Sequence, residues 1–172
     1  MPNWCANHIT IEGPKEKVKD LYDVAMNGDG LLSAMCPIGK WDYNDAISSW
    51  GTKWDVSLHE TNMEFVDSGS SGVIHGYFES AWSPPEQACL NYLEKNQDMH
   101  IELHYYEPAM DFCGILNEGT IKISEQHIDF WKKDPAGIEI DNHFDVQGML
   151  EEMVEEEQQQ ALGTPPDLIS NI

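Results

Sequence analysis

The chain has no arginine; its nine basic residues are all lysine, set against 31 Asp and Glu. The formal charge is therefore 9 − 31 = −22. Without guanidinium groups there is no arginine finger and no bidentate clamp on carboxylate or phosphate. A charge this negative repels phosphate backbones, which argues against direct nucleic-acid binding. Cysteine is scarce: Cys5, Cys36, Cys89 and Cys113 are far apart, with no C-x-x-C. That spacing excludes a zinc knuckle and a thioredoxin-like motif, and it predicts reduced, buried thiols in a cytoplasm. No run approaches the roughly 20 apolar residues of a membrane span. Met1-Pro2-Asn3-Trp4-Cys5 lacks the basic region and apolar core of a signal peptide, so a cytoplasmic location is expected. P-loop, G-x-S-x-G, G-x-G-x-x-G and H-E-x-x-H are all missing. No catalytic residue and no cofactor are expected.

What is present is a folding chain. Its 41% hydrophobic and 10% aromatic content is too rich for disorder. Residues 1–60 carry nine acids and five Lys, residues 61–120 ten and one, residues 121–172 twelve and three. From Asp134 onward there are ten acids and no basic residue.

His8–Glu12 alternates polar and apolar, as a half-buried strand does, and stops at Gly13-Pro14. Val18, Leu21, Tyr22, Ala25 and Met26 recur at helical spacing within Lys15–Asn27. Residues 31–49 read as an irregular insertion with at most one helical turn. Trp54–Glu60 alternates again and predicts a strand, as does Val73–Ala81. Ser83 and Glu86 suggest a capping box opening a helix that runs to about Lys95. Met99–Tyr105 alternates strictly. Phe112–Leu116 and Thr120–Ser124, joined through Asn117-Glu118-Gly119, predict a hairpin. The order matches an α+β ferredoxin-like βαββαβ plan with an antiparallel sheet and an added hairpin. The expected domains are 1–133 and an acidic helical extension, 134–172. Asp134-Pro135-Ala136-Gly137 would break the chain between them. A helix from about Asp145 to Ala161 follows, ending at Gly163-Thr164-Pro165-Pro166, with a loose tail.

Four segments carry a resemblance. They are Met1-Pro2-Asn3-Trp4-Cys5-Ala6-Asn7, Trp50-Gly51-Thr52-Lys53-Trp54-Asp55, Ala81-Trp82-Ser83-Pro84-Pro85, and Tyr105-Tyr106-Glu107-Pro108 with Phe112 and Gly114. The first 120 or so residues resemble the phage- and plasmid-borne YubB-like family with a ferredoxin-like domain. The resemblance implies a mobile-element origin and that fold, and no settled activity. Ala109-Met110 stand where the family tends to have Gly after the Glu-Pro turn, so this turn is expected to differ.

Alternation predicts which residues share a sheet face. Ile9, Ile11, Ile74, Phe78, Ile101 and Leu103 would point under the helices. His8, Thr10, Glu12, His59, His75, Tyr77, Glu79, His100, Glu102 and His104 would collect on the other face. That face is either simply polar and solvated or a metal site, with His8, His75, His100 and His104 as the candidate ligands. Trp4, Trp50, Trp54 and Trp82 read as core pieces more readily than as a recognition surface, with Lys53 pairing to Asp55 or Glu107. In the acidic extension, Val146, Met149, Leu150, Met153 and Val154 form an apolar stripe beside Glu151, Glu152, Glu155 and Glu156. Met149, Glu151, Glu152, Met153, Glu155, Glu156 and Glu157 are the candidate partner-binding residues.

The function expected from these features is not enzymatic. It is an acidic phage protein that binds and inhibits or modulates a host protein with a basic surface, a defence nuclease, protease or other machine, with nucleic-acid mimicry as one route. Two alternatives stand beside it. One is a small metal-dependent enzyme using the His-rich face. The other is an assembly protein that forms homo-oligomers through its C-terminal helix.

Overall fold

A computed structural model describes residues 3–117, 120–124 and 128–163. The expected Glu118-Gly119 turn, the Thr164-Pro165-Pro166 stop, the tail and the first two motif residues lie outside the described residues. The chain divides into two compact units, Met1–Gln126 and His127–Ile172.

The first unit is α+β. Its elements are β1 (Trp4–Pro14), α1 (Lys15–Asn27), α2 (Leu31–Met35), α3 (Tyr43–Trp50), β2 (Glu64–Ser68), β3 (Ser71–Ala81), α4 (Glu86–Lys95), β4 (His100–Glu107), β5 (Phe112–Leu116) and β6 (Thr120–Ser124). The sheet order is β2-β3-β1-β4-β5-β6, and every pairing is antiparallel. The first four strands have the ferredoxin-like order, and the β5–β6 hairpin extends the sheet beyond β4. Ile9, Ile11, Ile74, Phe78, Ile101 and Leu103 are all buried, as their alternation predicts. They join Val18, Leu21 and Ala25 of α1 and Ala88 and Cys89 of α4 in one core.

Three local expectations are corrected. Trp54–Glu60 is not a strand. Its alternation is real, since Val56 and Leu58 are buried, but the segment is a loop closed by a 3₁₀ turn at Leu58–Glu60. The Asp55 carboxylate holds it there, accepting from Leu32 N at 2.7 Å, Ser33 N at 3.0 Å and Val56 N at 2.7 Å. A side chain thereby satisfies the otherwise orphaned amides at the start of α2. The true partner strand is β2, an exposed edge with too few apolar residues to announce itself. Residues 31–49 hold two helices rather than an irregular insertion; Asp42 caps α3 through Asn44 N at 2.8 Å. Ser83 does not cap α4. Its hydroxyl donates to Gly51 O, while Glu86 accepts from the Tyr105 hydroxyl at 2.9 Å.

The segments that carried the resemblance meet in space. Thr52 Oγ1 donates to Ala81 O at 2.9 Å. Buried Asn7 Nδ2 donates to Ser80 Oγ at 2.9 Å, and that hydroxyl donates to Ser83 O at 2.8 Å. Gly51 takes φ 85, and a Cβ there would sit 3.2 Å from Pro84 O. The Glu107 turn is built without Gly. The buried Glu107 carboxylate accepts from Ala109 N at 3.2 Å and from Met110 N, and Asp111 takes the left-handed φ of 53.

The second unit is helical: α5 (Ile128–Lys133), α6 (Pro135–Phe144) and α7 (Val146–Gly163). The boundary falls between Gln126 and His127 rather than at 133/134, because α5 packs on α6. Asp134-Pro135 starts a helix instead of breaking the chain. The Asp134 side chain accepts from Ala136 N at 2.9 Å, and Pro135 occupies the first helical position, where its missing N–H costs nothing. Gly137 is required for the close approach: a Cβ there would lie 2.2 Å from Phe130 O. Gln147 then ties α7 in, donating to Trp131 O at 3.2 Å and Asp141 Oδ2 at 2.7 Å.

Candidate functional site

Register decides which histidines meet. His8 of β1 lies directly opposite His104 of β4 on one side and Tyr77 of β3 on the other. His8 and His104 each have a ring nitrogen within 4.8 Å of the other's. Glu102, one step along β4 on the same face, places Oε1 3.8 Å from His104 Nδ1. Asn117 Nδ2 donates to Glu102 Oε2 at 2.9 Å and fixes the carboxylate. The Tyr77 ring lies against His8, with centroids 4.6 Å apart and planes tilted by 56°. His104 is 1% exposed, whereas His8 and Glu102 are half-buried.

The other predicted ligands do not converge here. His75 is opposite Thr10 and pairs with Glu64 at 3.5 Å. His100 is exposed and opposite Glu12. Thr10 and Glu12 are two and four residues from His8, about 7 Å and about 13 Å along the strand. His59 is not on the sheet at all; its Nε2 meets Met26 O at 2.9 Å from the 3₁₀ turn. The face is thus neither uniformly open nor uniformly covered. Glu12, Tyr77 and Glu79 are exposed, while His104, Tyr106, Cys113 and Ile115 are buried.

The tryptophans overturn the core reading for three of four. Trp50 is buried, but Trp4, Trp54 and Trp82 are 39–46% exposed, and Trp41 is 50% exposed. Trp4 and Trp54 meet in a tilted pair with centroids 5.9 Å apart, and Trp41 Nε1 donates to Lys53 O at 3.1 Å. Lys53 pairs with neither Asp55 nor Glu107, which are engaged with backbone amides. Its ammonium instead lies 4.5 Å from the Trp54 ring centroid. Trp82 holds a left-handed φ of 74, with its N–H donating to Asn3 O at 2.9 Å. Such a conformation costs a bulky residue of order 1 kcal/mol or more. The missed signal was the proximity of Trp41 to the Trp50–Trp54 motif.

In α7 the partner-binding candidates are all accessible. Glu151, Glu152, Glu155, Glu156 and Glu157 are exposed, as are Met149, Met153 and Val154. Lys132 lies 3.9 Å from Glu151. Val146, the first residue of the apolar stripe, is buried.

The four cysteines are buried free thiols. Burial pushes Cys89 from 9.0 up to about 12, and Cys113 from 9.0 up to about 12. Neither is a thiolate nucleophile near neutral pH. Both hold their protons more tightly in the fold than in the unfolded chain. The stability this supplies is full below pH 9.0 and is lost as pH rises through about 12. Urea midpoints are therefore expected to stay level up to pH about 8.5 and to fall by pH about 10.5. A midpoint that is unchanged or higher at the alkaline end would contradict this.

Among the described residues, no helix is long and apolar enough to cross a membrane. Comparison of the chain with protein-family models, with curated proteins and with solved structures gives no match.

Proposed function

We propose that this is a binding protein that uses its acidic surface to occupy the basic surface of a partner. The observation that carries the reading is α7. Five exposed carboxylates lie between Glu151 and Glu157. Six helical rises span about 9 Å, so the charge density is about one per 2 Å. Duplex DNA carries one charge per ≈ 1.7 Å of axis. The exposed Met149, Met153 and Val154 lie on the same helix and add apolar contact that a phosphate backbone does not offer. The exposed indoles of the first unit are a second asset, because Trp faces attract Lys and Arg side chains.

The reading extends to a partner class. A protein with a nucleic-acid groove, such as a defence nuclease, presents the matching charge. The resemblance to a mobile-element family supports a phage protein acting in a host cell in this way. Capture from a bacterial lysate tests it. A basic protein is expected at low salt and should be lost at high salt, because steering by exposed charge is screened. Finding no partner at low salt would overturn the proposal.

A further inference from the structure

We infer that the exposed tryptophans at one end of the first unit's sheet form a docking site for an Arg-bearing segment of a protein partner. Lys53 is the internal cation that the incoming guanidinium displaces. The inference rests on the proposed binding role and gives it a second contact, on the first unit rather than on α7.

Backbone contacts gather the four indoles. Trp4 opens β1, and Ala81 ends β3 directly opposite it. The next residue, Trp82, donates its N–H to Asn3 O at 2.9 Å. Thr52 Oγ1 donates to Ala81 O and Ser83 Oγ to Gly51 O, which fastens the loop carrying Trp54 at the same end. The Trp54 ring meets that of Trp4 with centroids 5.9 Å apart. Trp41 joins them through its Nε1–H on Lys53 O at 3.1 Å. All four indoles are 39–50% exposed. Trp82 also keeps a left-handed φ of 74, and backbone strain of that kind clusters at ligand-contacting positions. Trp is among the residue types that most often anchor a protein interface.

The chain's own cation indicates what these rings accept. Lys15, Lys17 and Lys19 pair with Asp67, Asp98 and Asp23. Lys53, in a chain with 31 carboxylic side chains, instead places its ammonium 4.5 Å from the Trp54 centroid. A guanidinium is planar and more weakly hydrated than an ammonium, so it stacks on an indole more favourably. The chain has no Arg of its own, which leaves that place to a partner's. Asp42 and Asp45, exposed at the start of α3 and next to Trp41 in the chain, add attraction for a cation. A phosphate, an acidic peptide or a second copy of this chain would meet a net charge of −22.

NMR titration of the isotope-labelled full chain with the capped peptide Gly-Arg-Gly-Arg-Gly tests the site, read on the indole N–H resonances. Salt at about 0.5 M screens the exposed carboxylates of α7. The Trp41 and Trp54 indole signals are expected to shift saturably, and citrulline in place of each Arg should abolish the shift. The double variant Trp41→Ala/Trp54→Ala should weaken binding by at least about 10-fold, two exposed cation–π contacts being removed together. Should it fail to fold, the single Trp41→Ala variant decides, with a loss of about 2- to 5-fold. Lys53→Met should tighten binding by about 2- to 5-fold, the worth of one exposed cation–π contact. Lys95→Met makes the same charge change at the far end of α4 and should leave binding as in the parent. No indole shift with the Arg peptide would overturn the inference. So would equal shifts with the citrulline peptide, which would mark an uncharged stacking platform such as a sugar uses. Equal affinity in the Lys53→Met and Lys95→Met variants would overturn it as well. Peptide binding lost while a basic partner is still captured counts against this inference alone; capture lost while the peptide still binds counts against the α7 reading alone.

Discussion

Replacing Trp50 with Ala lowers the unfolding free energy by about 3–5 kcal/mol. Trp50 ends α3 and is 2% exposed. Its ring is part of the first unit's core, with Ala88 and Cys89 of α4. The substitution also removes the donor to Cys36 O, a bond of 2.8 Å. An orphaned buried carbonyl adds about 1–3 kcal/mol to a cavity cost, which places the effect at the upper end. Trp41→Ala is the internal comparison. That indole is half exposed and gives up one surface hydrogen bond, so its loss should be about 1 kcal/mol or less. Urea unfolding followed by far-ultraviolet dichroism reads both variants without relying on indole fluorescence. Similar midpoints for the two would refute the assignment of Trp50 to the core and of Trp41 to the surface.

On the proposed reading, changing Glu151, Glu152, Glu155, Glu156 and Glu157 together to Gln is expected to slow association with a basic partner by about 10- to 1000-fold. All five side chains are exposed, and Gln and Glu have nearly equal helix propensity, so α7 itself survives. The same change should raise helix stability. Glu151/Glu155 and Glu152/Glu156 are like-charge pairs at i, i+4, each unfavourable by about 0.2–0.5 kcal/mol. Lys132, 3.9 Å from Glu151, partly relieves one of them. Removing both pairs gains about 0.4–1 kcal/mol. The two effects have opposite signs, which separates a surface shaped for binding from a merely solvated helix. A solvated helix would gain stability and lose no association. Stopped-flow mixing with the captured partner, at low and high salt, gives the rate; thermal unfolding gives the stability.

Much of the sheet was legible because burial there follows a two-residue period. β1, β3 and β4 announce themselves through Ile9, Ile11, Ile74, Phe78, Ile101 and Leu103. The hairpin and α1, α4 and α7 follow from equally local patterns. Misreadings occur where a side chain overrides the period. Val56 and Leu58 alternate with polar residues and are buried, yet Asp55 commits its carboxylate to α2 and prevents the strand. β2 is an exposed edge, so it carries little hydrophobic signal. Asp134-Pro135 has the composition of a break and also the chemistry of a helix start; the packing of α5 on α6 selects the second.

The candidate sites were legible in part. Alternation identified the polar face, but only register shows that His8 meets His104 while His75 and His100 lie elsewhere. Composition gave six tryptophans without saying that four would be exposed. Aromatic character alone favours the core, and exposure depends on where the loops around Trp41 and Trp54 are fastened. The acidic stretch was visible directly, since nothing in the packing hides the carboxylates of α7.

The most direct test of the central claim is side-by-side capture from a bacterial lysate with the parent chain and the five-Gln variant. The account predicts a basic partner on the parent at low salt, released at high salt and absent from the variant. Equal capture by the two chains, or none by the parent at low salt, would contradict it.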